Sequence, residues 1–358
     1  MITSPETNLD NNSKQDSYSV ERAQRSGEKK AAQKFKTAKV AIIGRPNAGK
    51  STLLNALVES ELCATSNRPQ TTRKNTRGIV QRYTGRKWTG QIVFIDTPGM
   101  NFQKGALERS FLNSVEEGLG DADVILWVAD ARTFEKDLID LEMEKIQDDR
   151  VANWLQDSLQ KSDPENGKKW ILVLSKADLV DKGALLPLIE KSLKILPQFD
   201  QVVPVAATEG LKSNDSNLEA VLSVIDDLSP AADPLFPKDS YTDASAKELI
   251  REFIRETIFR NTMKEVPYEC DCQVVMFKEA VGKLKPEVDA VIWTSRSSLK
   301  AILVGAQGQK IKEIGMTARK RYQELTGQEI ILRIVVKVVD KWDRRADAIS
   351  ELGYGQLS

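Results

Sequence analysis

The sequence predicts a mostly parallel, six-stranded α/β domain followed by a smaller α+β domain, and three observations carry that prediction. Short, near-continuous apolar runs at 39–43, 91–95, 124–129, 170–174 and 201–205 alternate with helix-period segments, the pattern of strands buried on both faces by crossover helices. A glycine-rich turn of eight residues follows the first run directly, and a segment with three prolines between 230 and 237 ends the alternation. The prolines stop a helix and stiffen a connection, so the domain boundary falls there.

The 358 residues suffice for about two domains. Residues 1–36 are polar, mix acids with bases and have no apolar core, which predicts a disordered arm unlike a signal peptide or an acid-poor transit peptide. The first domain then spans 37–228, a linker 229–242 and the second domain 243–358. Within the first, 78–83 and the turn 84–87 predict an antiparallel hairpin with the strand ending at Ile95. In the second, helices are expected at about 243–262 and 309–325, with strands at 268–277, 287–294 and 329–339.

The chain carries 52 basic and 52 acidic residues, so any basic surface must be local. Residues 142–165 are rich in acids, whereas Lys300, Lys310, Lys312, Arg319, Lys320 and Arg321 form a basic stretch. Cys63, Cys270 and Cys272 form no C-x-x-C pair, which argues against a disulfide framework or zinc site and suits a reducing compartment. Cys270 and Cys272 read as neighbours on one face of a strand. There is no histidine, hence no histidine general base or metal ligand. No apolar run reaches the roughly 18 residues that span a bilayer.

Gly44, Arg45, Pro46, Asn47, Ala48, Gly49, Lys50 and Ser51 match a phosphate-binding loop in spacing and context. The glycines let backbone amides close around phosphate oxygens, and the helix that begins near Lys50 and runs through Thr52 points its positive end at the anion. Lys50 places a charge at the β and γ phosphates, and the Ser51 hydroxyl is set to hold magnesium.

Asp96-Thr97-Pro98-Gly99 follows the strand 91–95, where the carboxylate can reach magnesium through water and the Gly99 amide a γ-phosphate. Between these motifs, Arg68-Pro69-Gln70-Thr71-Thr72-Arg73 lacks periodicity and suits a switch loop in which Thr72, rather than the alternative Thr71, completes the metal shell. An ordinary exposed loop is the plainer reading. Ser175-Lys176-Ala177-Asp178 closes the strand 170–174. A carboxylate at Asp178 can accept from N1–H and the exocyclic amine of guanine, and adenine offers no such pair. The amides of Ala206 and Ala207, at the end of the next strand, could meet the base oxygen.

The combination R-P-N-x-G-K-S, P-Q-T-T-R and D-T-P-G is similar to the Era family of GTPases. In the second domain, Gly305-Ala306-Gln307-Gly308 followed by Gln309, Lys310, Ile311 and Lys312 resembles the G-x-x-G loop of a KH RNA-binding domain, and 343–354 resembles the closing helix of Era proteins. The resemblance covers about 39–354, apart from an acidic insertion near 140–167. It implies a P-loop GTPase domain with a type II KH domain, GTP or GDP with Mg2+ as cofactors, and Lys50, Thr72 and Gly99 in catalysis. It further implies binding of the 3′ region of small-subunit ribosomal RNA in assembly of that subunit, a soluble monomer with weak peripheral membrane association and no DNA partner, and a bacterial-type cytoplasm or an organelle's stroma or matrix. From the residues alone, a tight glycine turn beside Lys310 and Lys312 lets a nucleic-acid backbone approach, leaving unpaired bases for an apolar groove.

Three departures from the family pattern, and one at Met100 from the pattern of many GTPases, alter these expectations. Ser175 stands in place of Asn and is too short to span the bonds to the base and to the phosphate loop, at a cost of roughly 1 kcal/mol in nucleotide affinity. Ala206-Ala207 replaces Ser-Ala, and Ala306 and Gln307 lack the positive charge often found inside the KH loop. Met100 occupies the place of a water-orienting glutamine, which predicts slow intrinsic hydrolysis. Asn47 is in turn the residue expected to help hold K+ beside the phosphates; equal hydrolysis rates in potassium and sodium would count against it. Two other classes compete with a GTP-switched RNA-binding factor. A P-loop ATPase or kinase would bind ATP as tightly as GTP, against Asp178, and a non-turnover RNA-binding protein would have no need of intact Lys50, Ser51 and Asp96.

Overall fold

The computed structural model describes residues 34–63, 72–100, 106–142, 150–160, 167–280, 282 and 284–354. Most of the expected arm, Arg68 to Thr71 of the expected switch loop and parts of the acidic insertion lie outside these residues.

The first domain runs β1 (Lys36–Ile43), α1 (Lys50–Val58), β2 (Thr76–Thr84), β3 (Lys87–Asp96), α2 (Ala106–Asp121), β4 (Val124–Asp130), α3 (Phe134–Glu142), α4 (Arg150–Gln160), β5 (Lys169–Ser175), α5 (Lys182–Ile195), β6 (Gln201–Val205) and α6 (Leu218–Leu228). Its six strands lie in the order β2-β3-β1-β4-β5-β6. Only β2 is antiparallel to its neighbour, paired to β3 through the expected hairpin. Alternation along β1 explains the two layers. Val40 and Ile42 pack with Leu53, Leu54 and Leu57 of α1 and Val221 and Leu222 of α6. Ala41 and Ile43 face the opposite layer, with Val115 of α2, Leu138 of α3 and Leu188 of α5.

The acidic insertion contributes to that second layer. Val151, Leu155 and Leu159, four residues apart on α4, are buried there, and Trp154 stacks on Trp127 at 6.5 Å. The sequence reading recorded its charge and overlooked this apolar spacing.

The linker is strapped to the first domain. Gln91 Oε1 accepts from the amides of Leu235 and Phe236 at 2.9 and 3.0 Å, and the Ile79 amide on edge strand β2 donates to Tyr241 O at 2.9 Å. An exposed sheet edge is thereby covered.

The second domain comprises α7 (Ala246–Asn261), β7 (Cys270–Lys278), β8 (Glu287–Thr294), α8 (Ser297–Val304), α9 (Gln309–Thr326), β9 (Ile331–Val338) and α10 (Ala346–Glu351). β8 lies between antiparallel β7 and parallel β9. α7 starts later than expected because Ser245 and Glu248 form a reciprocal capping box. β7 starts at Cys270 because the amides of Tyr268 and Glu269 both turn back to Glu265 O. α8 was not anticipated; eight residues followed by Gly305 carry too short a period to separate from a loop.

A fourth apolar cluster joins the domains: Ala106, Leu107 and Phe111 of α2 pack with Trp293, Trp342, Ile349, Leu352 and Tyr354. No helix among the described residues is long and apolar enough to cross a membrane.

Candidate nucleotide site and RNA-facing loop

The turn after β1 is shaped by positive φ at Gly44 (146°), Asn47 (62°) and Gly49 (97°). At Gly44 a Cβ would lie 2.2 Å from the Val128 carbonyl oxygen, so no other residue fits. Gly99 is constrained as well, though less tightly, its missing Cβ falling 2.8 Å from Pro46 Cα, which brings the D-T-P-G turn against the phosphate loop. Lys50 is buried and donates to the carbonyls of Gly44 and Arg45 at 3.2 and 3.0 Å. Burial lowers its pKa to about 8, against the opposing pull of Asp96.

Three oxygens converge beside Lys50. Ser51 Oγ lies 2.7 Å from Thr72 Oγ1 and donates to Asp96 Oδ2 at 2.7 Å, while Thr72 Oγ1 lies 3.2 Å from the same carboxylate oxygen. Asp96 is fully buried, its Oδ1 has no hydrogen-bond partner among the described residues, and burial raises its pKa against the effects of Lys50 and of hydrogen bonds from Ser51, Thr72 and the Cys63 thiol. Two hydroxyls and a carboxylate form a hard-oxygen set that fits Mg2+, and the unpartnered oxygen needs a cation or its water. Thr71 lies outside the described residues.

Met100 is buried in the apolar layer, and its amide donates to Gly44 O at 3.1 Å. Its side chain is therefore packed in that layer rather than presented at the loop surface. Asn47 is exposed, and its carbonyl accepts from Lys176 Nζ at 2.8 Å. Lys176 also pairs with Asp130 at 2.8 Å. Burial would raise the Asp130 pKa, but hydrogen bonds from Arg132 and Lys176 hold it well below the usual carboxylate range.

Ser175 corrects half of its expectation. Its Oγ lies 2.5 Å from Ala48 O and 3.0 Å from Ala129 O, so the tie to the phosphate loop survives the loss of Asn. The backbone comes close enough for a short side chain to reach: a Cβ on Gly49 would be 3.5 Å from Ser175. Asp178 stands exposed on a single turn, 177–179, beyond that loop. The Ala206 amide is engaged by Ser216 O at 3.0 Å, which leaves Ala207 as the amide of that pair for a base oxygen. A cavity of about 610 Å³ opens beside the loop, lined by Arg45, Asn47, Gly49, Thr52, Asp130 and Lys176 among others.

Arg73 reverses the plain exposed-loop reading. It is fully buried in the second domain, donating to Cys270 O (3.0 Å), Asp271 Oδ2 (3.0 Å), Pro267 O (3.2 Å) and Tyr268 O (3.0 Å). The motif containing Arg73 was legible, but a partner 198 positions away leaves no local signal.

In the second domain, Gly305 (φ 72°), Gln307 (φ 50°) and Gly308 (φ 75°) turn the chain between α8 and α9. Ala306, Gln307 and Lys312 are exposed, and Lys310 pairs with Glu313 at 3.3 Å. One expectation changes here. Ile311 is half-buried against the domain core, whereas Arg321 leaves the basic surface: it pairs with Glu256 at 3.1 Å and with Glu61 of the first domain. Cys270 and Cys272 are free and buried on β7, as expected.

Fold and site define a P-loop GTPase joined to a KH domain. A family model described as a 50S ribosome-binding GTPase matches residues 39–176, and a KH-domain model matches 265–343. GTPase Era of Geotalea uraniireducens is 35% identical over 322 residues, 89% of this chain and 98% of the relative; GTPase Era of Pseudomonas fluorescens Pf-5 is 36% identical over 322 residues, 89% and 96%. The chain belongs to the GTPase Era family. Two crystal structures are 31% identical with TM-scores of 0.75, covering 89% of this chain and 99% of theirs: a point variant of Aquifex aeolicus Era bound to GDP·AlF4−, and Era with MgGDPNP and nucleotides 1506–1542 of 16S ribosomal RNA.

Proposed function

We propose that this chain is a GTP-switched RNA-binding factor that engages the 3′ region of small-subunit ribosomal RNA and assists assembly of that subunit. The observation that carries the reading is the Ser51–Thr72–Asp96 oxygen cluster beside Lys50, in one chain with an open G-x-x-G turn. The Era structure holding MgGDPNP and 16S ribosomal RNA supports it.

Mg2+, when bound, would neutralise charge on the phosphates. Ser51 and Thr72 would hold that ion and Asp96 would orient its water. Lys50, now on two carbonyls, would turn to phosphate oxygens, and the Gly99 amide would meet the γ-phosphate. Asp178 reads guanine, which disfavours the ATPase reading, and buried Met100 leaves no side chain there to orient water, so unassisted turnover is slow. Asn47 helps hold potassium beside the phosphates. The same reading has the chain act as a monomer without a DNA partner, with weak peripheral membrane association, in a bacterial-type cytoplasm or an organelle's stroma or matrix.

The test is the affinity for an oligonucleotide of the small-subunit rRNA 3′ end, measured with GDPNP and with GDP. Wild type binds more tightly with GDPNP, and Gly305→Asp/Gly308→Asp loses at least about tenfold, the scale of one or two lost phosphate contacts. Unaltered affinity in that variant removes the KH assignment. Asp178→Asn should weaken GTP and favour the xanthosine nucleotide, because an amide donates where xanthine carries a carbonyl. If neither affinity moves, Asp178 is not the base reader.

A further inference from the structure

The geometry points to Arg73 as a positioning residue for Thr72: its guanidinium, held by the KH domain, fixes the backbone step that aims the Thr72 hydroxyl at Ser51 and Asp96. This rests on the nucleotide-site reading above and adds a residue that never touches the nucleotide.

Thr72 and Arg73 are adjacent, so their Cα atoms are tied about 3.8 Å apart. Their side chains enter different domains. The Thr72 hydroxyl joins the metal-binding oxygens. The Arg73 guanidinium fills a cup of three carbonyls and one carboxylate oxygen, all at 3.0 to 3.2 Å.

That cup is rigid. Asp271 also accepts from Arg251 Nη2 at 3.1 Å, from its neighbour's amide, Cys272 N, at 2.7 Å, and from the Tyr354 hydroxyl. Burial would push its carboxyl up, but Arg251, Arg255 and Arg73 together hold it well below the usual range, so it stays an anion. The indole of Trp342 lies 5.7 Å from the Arg73 guanidinium. Two residues on, Asn75 Nδ2 donates to Ser114 O of α2 at 2.8 Å. The segment 72–75 is thus pinned to the metal site, the KH domain and the helix after D-T-P-G in turn. A shift of the KH turn 267–271 relative to α1 must strain or move Thr72. Short, stiff supports of this kind set the geometry of metal-binding residues.

The test is a cycle of full-length wild type, Thr72→Ala, Arg73→Lys and the double variant, titrated with fluorescent GDPNP and GDP across Mg2+ concentrations. Lysine keeps the charge and loses the fork that reaches four acceptors. Arg73→Lys should weaken Mg2+-dependent GDPNP binding about tenfold, the usual effect of losing a support behind a metal-binding residue. GDP affinity should stay within about twofold, because a switch threonine adds to nucleotide affinity through the metal only when the γ-phosphate is present. On the Thr72→Ala background, Arg73→Lys should add nothing, since its effect runs through the missing hydroxyl.

Equal losses for GDP and GDPNP, additive losses in the double variant, or no loss each overturn the proposal. A Thr72→Ala variant with unchanged GDPNP affinity instead overturns the site reading beneath it. Should Arg73→Lys fail to fold, Tyr354→Phe decides: it removes only the hydroxyl from Asp271 and keeps the ring against Phe111. It should raise the Mg2+ needed for GDPNP binding about threefold and leave GDP alone, a fraction of the full support effect; unchanged GDPNP binding overturns the proposal.

Discussion

The chain has two glycine turns that open onto helix N-termini, and they differ in what surrounds them. At Gly44–Gly49 the loop is enclosed: Val128 O occupies the space of a Gly44 Cβ, Ser175 reaches Ala48, Lys176 reaches Asn47, and Lys50 is 6% exposed. At Gly305–Gly308, a Gly305 Cβ would meet Lys310 of the following helix at 2.7 Å, but Ala306 and Gln307 are exposed and a Gly308 Cβ would meet nothing within 4 Å. A phosphate group of fixed size can be wrapped by a preformed nest. A polymer has to slide in from outside, and its loop must stay open.

Alanine at the two turns gives the sharpest way to break that comparison. Gly44→Ala puts a methyl 2.2 Å from a strand carbonyl at φ 146°, where nothing flexible can yield. It should cost about 3 kcal/mol or more and abolish GDP binding. Gly308→Ala meets open space and bears only the left-handed backbone penalty, about 1 to 2 kcal/mol, with GDP affinity intact. Denaturation midpoints and GDP titrations check both. Equal costs would mean the loops are equally constrained.

The same contrast explains what the sequence disclosed. The phosphate loop was legible because its glycines, Lys50 and Ser51 are contiguous and each answers a local geometric demand. Five strands and their parallel direction followed from apolar runs that need cover on both faces, and the sixth, antiparallel one from the hairpin turn. Ser175 misled because its reach depends on how closely Gly49 approaches, a tertiary distance. Arg73 gave no signal because Asp271 lies in the other domain, and Arg321 read as surface charge because Glu61 and Glu256 are remote in sequence. Linear spacing reports what a segment does to itself; contacts between domains leave no period.

The smallest expected effect concerns Lys310 and Lys312, which look alike in sequence. Glu313 neutralises Lys310 at 3.3 Å and is itself anchored by Asn261 Nδ2 at 3.0 Å. Lys312 is exposed. An exposed lysine that meets a phosphate releases a counterion on binding, whereas one already paired releases less. Lys312→Ala should therefore flatten the slope of log affinity against log salt by about 0.7 for single-stranded RNA, and Lys310→Ala by clearly less. Titrations of the rRNA 3′-end oligonucleotide at several salt concentrations measure both slopes. Equal reductions would show that RNA pulls Lys310 away from Glu313; Glu313→Gln would then leave the Lys310→Ala effect unchanged, whereas a persistent ion pair predicts that it enlarges it.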